Sequence, residues 1–356
     1  MALKLYEQWL LTEGGWATTK TQDTVIKPLI IADCVKKTML IAEEFAAHCK
    51  TVELPPLEFT KPIGSGTWYE DDIVSQPDKV YGDVDFMVSY PVLELTGKDR
   101  RADEIATVKL YNKELIDFLK NKRYSFIDIA ETMTVSNDAS LKFIMQVETS
   151  EGEGWIQVDI VVTHTEYKDW AIFRMTPIRN VKGFVLGNLY SSFGEVLEVS
   201  IQPRGVRAKF AGSQMVAYSK RAGVEEKLLT SNIQTFMHDI ARFFWETSGT
   251  DKPYEEAPSL KRWKGINPQN PKFEDLCDGI RGVAETLEQL GEFGSVIKYK
   301  SAKELLEAVK KRYIEKMETA GNAEKLNKAA TPSAIAAAEK LRKFVKDYTE
   351  LANKLL

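Results

Sequence analysis

Two aspartates stand two apart in the run Tyr81-Gly82-Asp83-Val84-Asp85-Phe86-Met87-Val88. On a strand, alternate side chains share a face, so Asp83 and Asp85 emerge together while Val84, Phe86 and Val88 emerge opposite them, toward a core. Two carboxylates on one face repel each other, and a cation relieves that repulsion. Hard oxygen ligands of this kind suit Mg2+ or Mn2+. A third acid, Asp159, is the only charge in Trp155-Ile156-Gln157-Val158-Asp159-Ile160-Val161-Val162-Thr163. There Val158 and Ile160 point to the core, and Asp159 points the other way with Gln157 and Val161. If the two strands are neighbours, the carboxylates converge. Three carboxylates can bridge two divalent ions, one lowering the pKa of an attacking hydroxyl and one clamping the leaving oxygens of a phosphate.

Upstream of both lies Gly64-Ser65-Gly66-Thr67, following a strand-like run. Backbone N–H groups at such a turn bind phosphate oxygens, and small residues let the phosphate approach closely. Each signal alone has a plain alternative: a simple turn for the glycines, solvated surface acids for the aspartates. Their order, with each acid flanked by apolar strand residues, favours the chemical reading.

This order, a Gly-Ser loop, Asp-x-Asp on one strand and a lone Asp on a later strand, resembles the polymerase-β-like nucleotidyltransferase superfamily. Gly-Ser-Gly-Thr-Trp with Gly-Asp-Val-Asp-Phe downstream is most similar to archaeal-type CCA-adding enzymes, poly(A) polymerases and oligoadenylate synthetases. The resemblance covers residues of about 55–165. It implies that Gly64 and Ser65 hold a nucleoside triphosphate, that Asp83 and Asp85 bind both metal ions, and that Asp159 binds the catalytic ion and helps activate the acceptor hydroxyl. In related enzymes the domain after the core supplies cations to the triphosphate and an aromatic to the base; the candidates by position are Arg207, Lys209 and Tyr218, with a solvated basic face as the plain alternative. The implied activity is transfer of a nucleoside monophosphate, from ATP or CTP, to a hydroxyl, with release of pyrophosphate. An RNA 3′ end, extended without a template, is the expected acceptor. Another nucleotide (second-messenger synthesis), a small molecule or a protein side chain is the enzymatic alternative, and a non-catalytic nucleotide-binding module is the other.

The elements that must position these residues follow from periodicity. The expected fold class is α+β: a polymerase-β-like core of mixed sheet with flanking helices, then a mainly α-helical C-terminal region. Four segments are expected: an N-terminal helical segment over 1–54, the catalytic core over 55–165, a mixed α/β segment over 166–222 and a helical domain over 223–356. Helices are predicted over Thr24–Lys50, Lys109–Lys120, Glu225–Glu246, Phe273–Leu290, Ser301–Glu318 and Thr331–Leu355. Ser301 and Glu304 form a capping box, and Thr331-Pro332 reads as an N-cap before a first-turn proline. Strands are predicted over Leu57–Ile63, Asp83–Tyr90, Leu141–Thr149 and Trp155–Thr163, and VLEVSIQPRGVRAKF reads as strand, turn and a second strand or helix start. The seventeen residues between Ser65 and Asp83 read as an inserted loop, with Glu70, Asp71 and Asp72 as solvated acids. The proline-bearing stretch Gly249–Asn270 reads as a linker or long surface loop.

Composition bounds the rest. At 356 residues, 44% of them hydrophobic, the chain can bury a sizeable core unaided. The net charge of −4 does not favour a surface coated in basic charge, and it leaves room for a local basic groove. Cys34, Cys49 and Cys277 are too few and too scattered for a disulfide framework, so buried free thiols in a reducing compartment are expected. The absence of a long apolar run and of a secretory signal implies no membrane partner and a cytoplasmic protein. His48, His164 and His238 lack metal-ligand spacing and read as structural or surface residues. Lys261-Arg262-Trp263-Lys264 pairs cations with an aromatic, as single-strand binders do, but reads first as an exposed loop.

Overall fold

In this computed structural model the residues described are 26–63, 72–78, 84–98, 100–135, 140–149, 152–176, 183–202, 204–291, 299–321 and 332–356. They divide into two compact units, 1–168 and 169–356.

Among the described residues, the first helix of the first unit is α1, Pro28–Thr51. Proline opens its first turn, where the missing N–H costs nothing. Ile30, Ile31, Cys34, Ile41, Phe45 and Cys49 recur at helical spacing and are buried. The helix packs on a five-stranded sheet of β1 (Glu58–Ile63), β2 (Val84–Tyr90), β3 (Ile127–Val135), β4 (Ser140–Thr149) and β5 (Gly152–His164), in the order β1-β2-β5-β4-β3. Strands β2 and β5 run parallel; the other neighbours are antiparallel. Short α2 (Asp72–Ser75) and long α3 (Arg100–Lys122) belong to the same unit.

One face of this sheet is the core face. Val84, Phe86, Val88 and Tyr90 of β2, Phe143, Met145 and Val147 of β4, and Ile156, Val158 and Ile160 of β5 join one apolar cluster with α1 and α3. Each such side chain contributes about 1.5–3 kcal/mol when fully buried. Two polar ties pin the helices: the Tyr111 hydroxyl donates to the Pro55 carbonyl at 2.7 Å, and Lys37 Nζ donates to the Gln146 carbonyl at 3.0 Å. Alternation along β2 and β5 then turns Asp85 and Asp159 to the face opposite the helices. The unit is thus α+β, with a mixed sheet and helices, as the sequence reading expects.

The second unit opens with α4 (Lys168–Met175) and α5 (Phe184–Val196) and a small antiparallel sheet. Its strands are β6 (Ser200–Gln202), β7 (Gly205–Ala211), β8 (Gln214–Val216) and β9 (Glu225–Thr230). Helices α6 (Phe236–Thr247), α7 (Pro258–Arg262), α8 (Phe273–Glu288), α9 (Ala302–Gly321) and α10 (Pro332–Leu355) follow. Ser301 Oγ accepts the Glu304 N–H at 3.2 Å, while the Glu304 carboxylate accepts the Lys300 N–H at 2.9 Å, one residue earlier than a capping box requires.

Several expectations need correction. The helix predicted over Glu225–Glu246 is a strand followed by a helix, because residues 225–230 pair with β7. The predicted linker Gly249–Asn270 carries α7 and buries Leu260, Trp263 and Ile266, so it is part of the core. The helix expected over Lys109–Lys120 starts nine residues earlier, at Arg100. Strand β3 was not anticipated. Thr331 lies outside the described residues, although the helix after it begins at Pro332.

Candidate functional site

Asp85 and Asp159 are register partners across the parallel pair β2–β5. In-register neighbours project from the same face, and adjacent strands lie about 4.8 Å apart. Their core-side neighbours Val84, Phe86, Val158 and Ile160 are at most 1% exposed, whereas both aspartates are half-buried. The apolar alternation therefore sets the direction of the acids. Like charges directly opposite each other in a sheet are unfavourable, by about 0.2–1 kcal/mol on the scale of cross-strand pairs. The sheet holds this pair at its centre, where register is least free to slip.

Gln157, two residues before Asp159, shares its face. Its Nε2 donates to Asp159 Oδ1 at 2.8 Å, and its side chain is itself buried. The amide thereby fixes one carboxylate oxygen. The sequence reading placed Gln157 on this face without giving it a role; the signal available was a lone amide in an otherwise apolar strand. Lys142 of β4 is the register partner of Asp159 on its other side.

Asp83 lies outside the described residues, as do Gly64, Ser65, Gly66 and Thr67. Glu70 and Asp71 lie outside them too. Asp72 does not: it is fully buried in α2 and accepts a hydrogen bond from Gln76 Nε2 at 3.1 Å, so it is not a solvated loop acid. Among the described residues no three His, Cys, Asp or Glu side chains cluster as a metal site. The described part of the constellation is the Asp85–Asp159 pair, whose carboxylate oxygens are the donors a hard divalent cation takes.

In the second unit Arg207, Lys209 and Tyr218 are brought together. Lys209 is buried, and its Nζ donates to the carbonyls of Tyr218 at 2.8 Å and Lys220 at 2.9 Å and lies 4.5 Å from the Tyr218 ring centre. The Tyr218 hydroxyl donates to Glu226 Oε2 at 2.7 Å and accepts from Gln202 Nε2. Burial pushes the Tyr218 phenol above its ordinary range. Arg207 Nη1 stands 3.8 Å from Glu226 Oε1, with about a fifth of its side chain exposed.

The histidines have structural surroundings. His164 is 2% exposed and sits edge-on to Tyr90 and Tyr167. His238 meets Glu256 at 2.9 Å, and His48 meets Glu114 at 3.6 Å. Trp263 is 8% exposed, packs against Phe236 and donates its Nε1 to the Asp275 carbonyl at 2.9 Å. With so little of it exposed, Trp263 is a core residue rather than part of an exposed loop. All three cysteines are buried free thiols, and no helix among the described residues is long and apolar enough to cross a membrane.

No protein-family model matches this chain, and no curated protein matches it. Among solved structures, a ternary P/T complex of Leishmania infantum polymerase beta aligns at 16% identity over 52% of this chain and 58% of that one, with a TM-score of 0.31. The chain thus spans less than two thirds of that protein. A ternary gap complex of the same polymerase aligns at 15% identity over 81% of this chain and 68% of that one, with a TM-score of 0.32. Likeness of this size decides nothing about activity.

Proposed function

We propose that this chain is a metal-dependent nucleotidyltransferase, moving a nucleoside monophosphate from ATP or CTP to a hydroxyl acceptor and releasing pyrophosphate. The observation that carries this reading is the alignment of Asp85 with Asp159 on neighbouring parallel strands, both turned away from the helices. Asp83, next to β2 in sequence, is the proposed third carboxylate. Two Mg2+ or Mn2+ ions held by Asp83, Asp85 and Asp159 would supply Lewis-acid stabilisation of the charge that develops on the phosphate.

The chain's own groups have separable tasks. Asp159, oriented by the Gln157 amide at Oδ1, is the proposed acceptor of the hydroxyl proton. The hydroxyl oxygen forms a bond to the α-phosphorus as the bond to the bridging oxygen of the β-phosphate breaks, and pyrophosphate leaves. Gly64, Ser65, Gly66 and Thr67 are the proposed phosphate loop, with backbone N–H groups and the Ser65 hydroxyl as donors. In the second unit, Lys209 is engaged by two carbonyls, so its proposed part is to hold Tyr218 in place, and Arg207 is the cation proposed to meet phosphate. An RNA 3′ end is the proposed acceptor.

The experiment is incubation of the protein with each α-labelled triphosphate, magnesium and total RNA. Label in RNA, lost with EDTA and with Asp85→Asn, supports the reading. Label in a nucleotide product moves the acceptor to another nucleotide, and no magnesium-dependent turnover of any triphosphate rejects the activity.

A further inference from the structure

Arg174 lies in the last turn of α4, within the second unit. Its guanidinium carbon stands 4.0 Å from the centre of the Tyr190 ring on α5, and Tyr190 is itself buried. Its Nε and Nη1 atoms are both buried without a hydrogen-bond partner. Two residues on, the buried Thr176 hydroxyl also lacks one. Among the described residues no carboxylate pairs with Arg174. The nearest acids on α5 and just after it serve other groups: Glu195 takes Lys316 at 2.6 Å, and Glu198 takes the Tyr218 N–H at 3.1 Å.

A guanidinium cannot shed its charge near neutrality, so burial leaves its donors in want of an acceptor. Folded proteins pair nearly all such groups, and buried donors on a cation with no counter-charge are costly to hold. The Tyr190 ring covers one face of the fork and satisfies none of its N–H groups, which lie in the guanidinium plane. An oxyanion would have to bind in that plane to satisfy them. Burial also pulls the guanidinium pKa down, in keeping with a site lacking its anion.

We propose that Arg174, held over Tyr190, is the receiving group of an anion site in the second unit that takes a phosphate group. That the anion is phosphate rather than carboxylate rests on the nucleotidyl-transfer reading, in which substrate and product both carry phosphate. The existence of the site rests on the orphaned donors alone.

The test uses the full chain in EDTA, titrated calorimetrically with inorganic phosphate, pyrophosphate and acetate. Wild type, Arg174→Met, Arg174→Lys and Asp159→Asn are compared, and each is also melted in anion-free buffer. Arg174→Met should weaken phosphate binding about tenfold or more, the scale of one lost charge-assisted contact. It should melt no lower than wild type without anions, because the orphaned donors are gone. Arg174→Lys keeps the charge but not the fork, so it should bind several-fold more weakly. Tighter binding of pyrophosphate than of phosphate points to the reaction product as the source; equal binding points to a free phosphate group. Equal phosphate affinity in wild type and both Arg174 variants overturns the site. So does a preference for acetate, or a fall in the anion-free melting temperature of Arg174→Met, which would reveal an acceptor within the chain. Asp159→Asn separates this site from the acid face. It should silence transfer and leave phosphate binding intact, whereas binding lost with Asp159→Asn belongs to the carboxylates and overturns the Arg174 assignment.

Discussion

Asp159 Oδ1 accepts a hydrogen bond from the Gln157 amide at 2.8 Å, and that bond orients the carboxylate. Gln157→Leu should therefore lower kcat by about 10–100-fold, the usual scale for losing the group that orients a ligand or base, with KM little changed. Steady-state kinetics under saturating magnesium check this, and a change confined to KM would place Gln157 in binding instead. Asp159→Asn removes a like charge beside Asp85. It should abolish turnover without lowering the melting temperature in metal-free buffer, since the relief is worth up to about 1 kcal/mol. A clear fall in that temperature would mean that Asp159 is a structural acid. The cysteines give a pH statement. Burial pushes the Cys34 thiol up to about 12 and Cys49 up to about 11, and raises Cys277 as well. Near pH 8 all three remain protonated, so a thiolate-selective disulfide reagent should label none in the native protein and three in denaturant. Labelling of the native protein would show that one of these sites opens. At this scale the shared face of Asp85 and Asp159 was legible because each interrupts an apolar alternation. Asp72 and Trp263 were misread because burial of a single polar or aromatic side chain depends on partners far along the chain.

Elements were legible where their own periodicity settled them. Strands β2 and β5 alternate cleanly, and α8 and α9 carry long apolar stripes. Segments decided by pairing were not. Glu225-Glu-Lys-Leu-Leu-Thr reads as helix by composition, yet its backbone groups find partners on β7, so tertiary pairing overrides propensity. The stretch after Gly249 looked like a linker because of its prolines. One of these opens α7, and Gly282 of α8 lets that helix come so close that a Cβ there would stand 2.9 Å from the Leu260 Cα. The turn from β6 to β7, which sets where Arg207 and Lys209 emerge, depends on Gly205. Its φ is +109°, and an added Cβ would lie 2.3 Å from the Thr230 carbonyl oxygen. Gly205→Ala should destabilise the protein by at least about 1–3 kcal/mol. Denaturant unfolding measures this, and an unchanged midpoint would show that β9 yields without cost.

On the scale of the whole molecule, each unit closes its own core, and the proposed chemistry rests on the first. The α+β class was legible because a helix, a set of alternating strands and a helical C-terminal half appear in order along the chain. The division of labour in the second unit was not, since Lys209 looks like a surface cation in sequence and is a buried tie in three dimensions. On the proposed function, Asp85 and Asp159 jointly hold a divalent cation. Crystals of the full chain grown with Mn2+ and a non-hydrolysable triphosphate test it most directly, by anomalous scattering at the manganese edge. A peak is expected within about 2–2.5 Å of carboxylate oxygens from both Asp85 and Asp159. Manganese bound elsewhere, with none between these two side chains at saturating concentration, would contradict it.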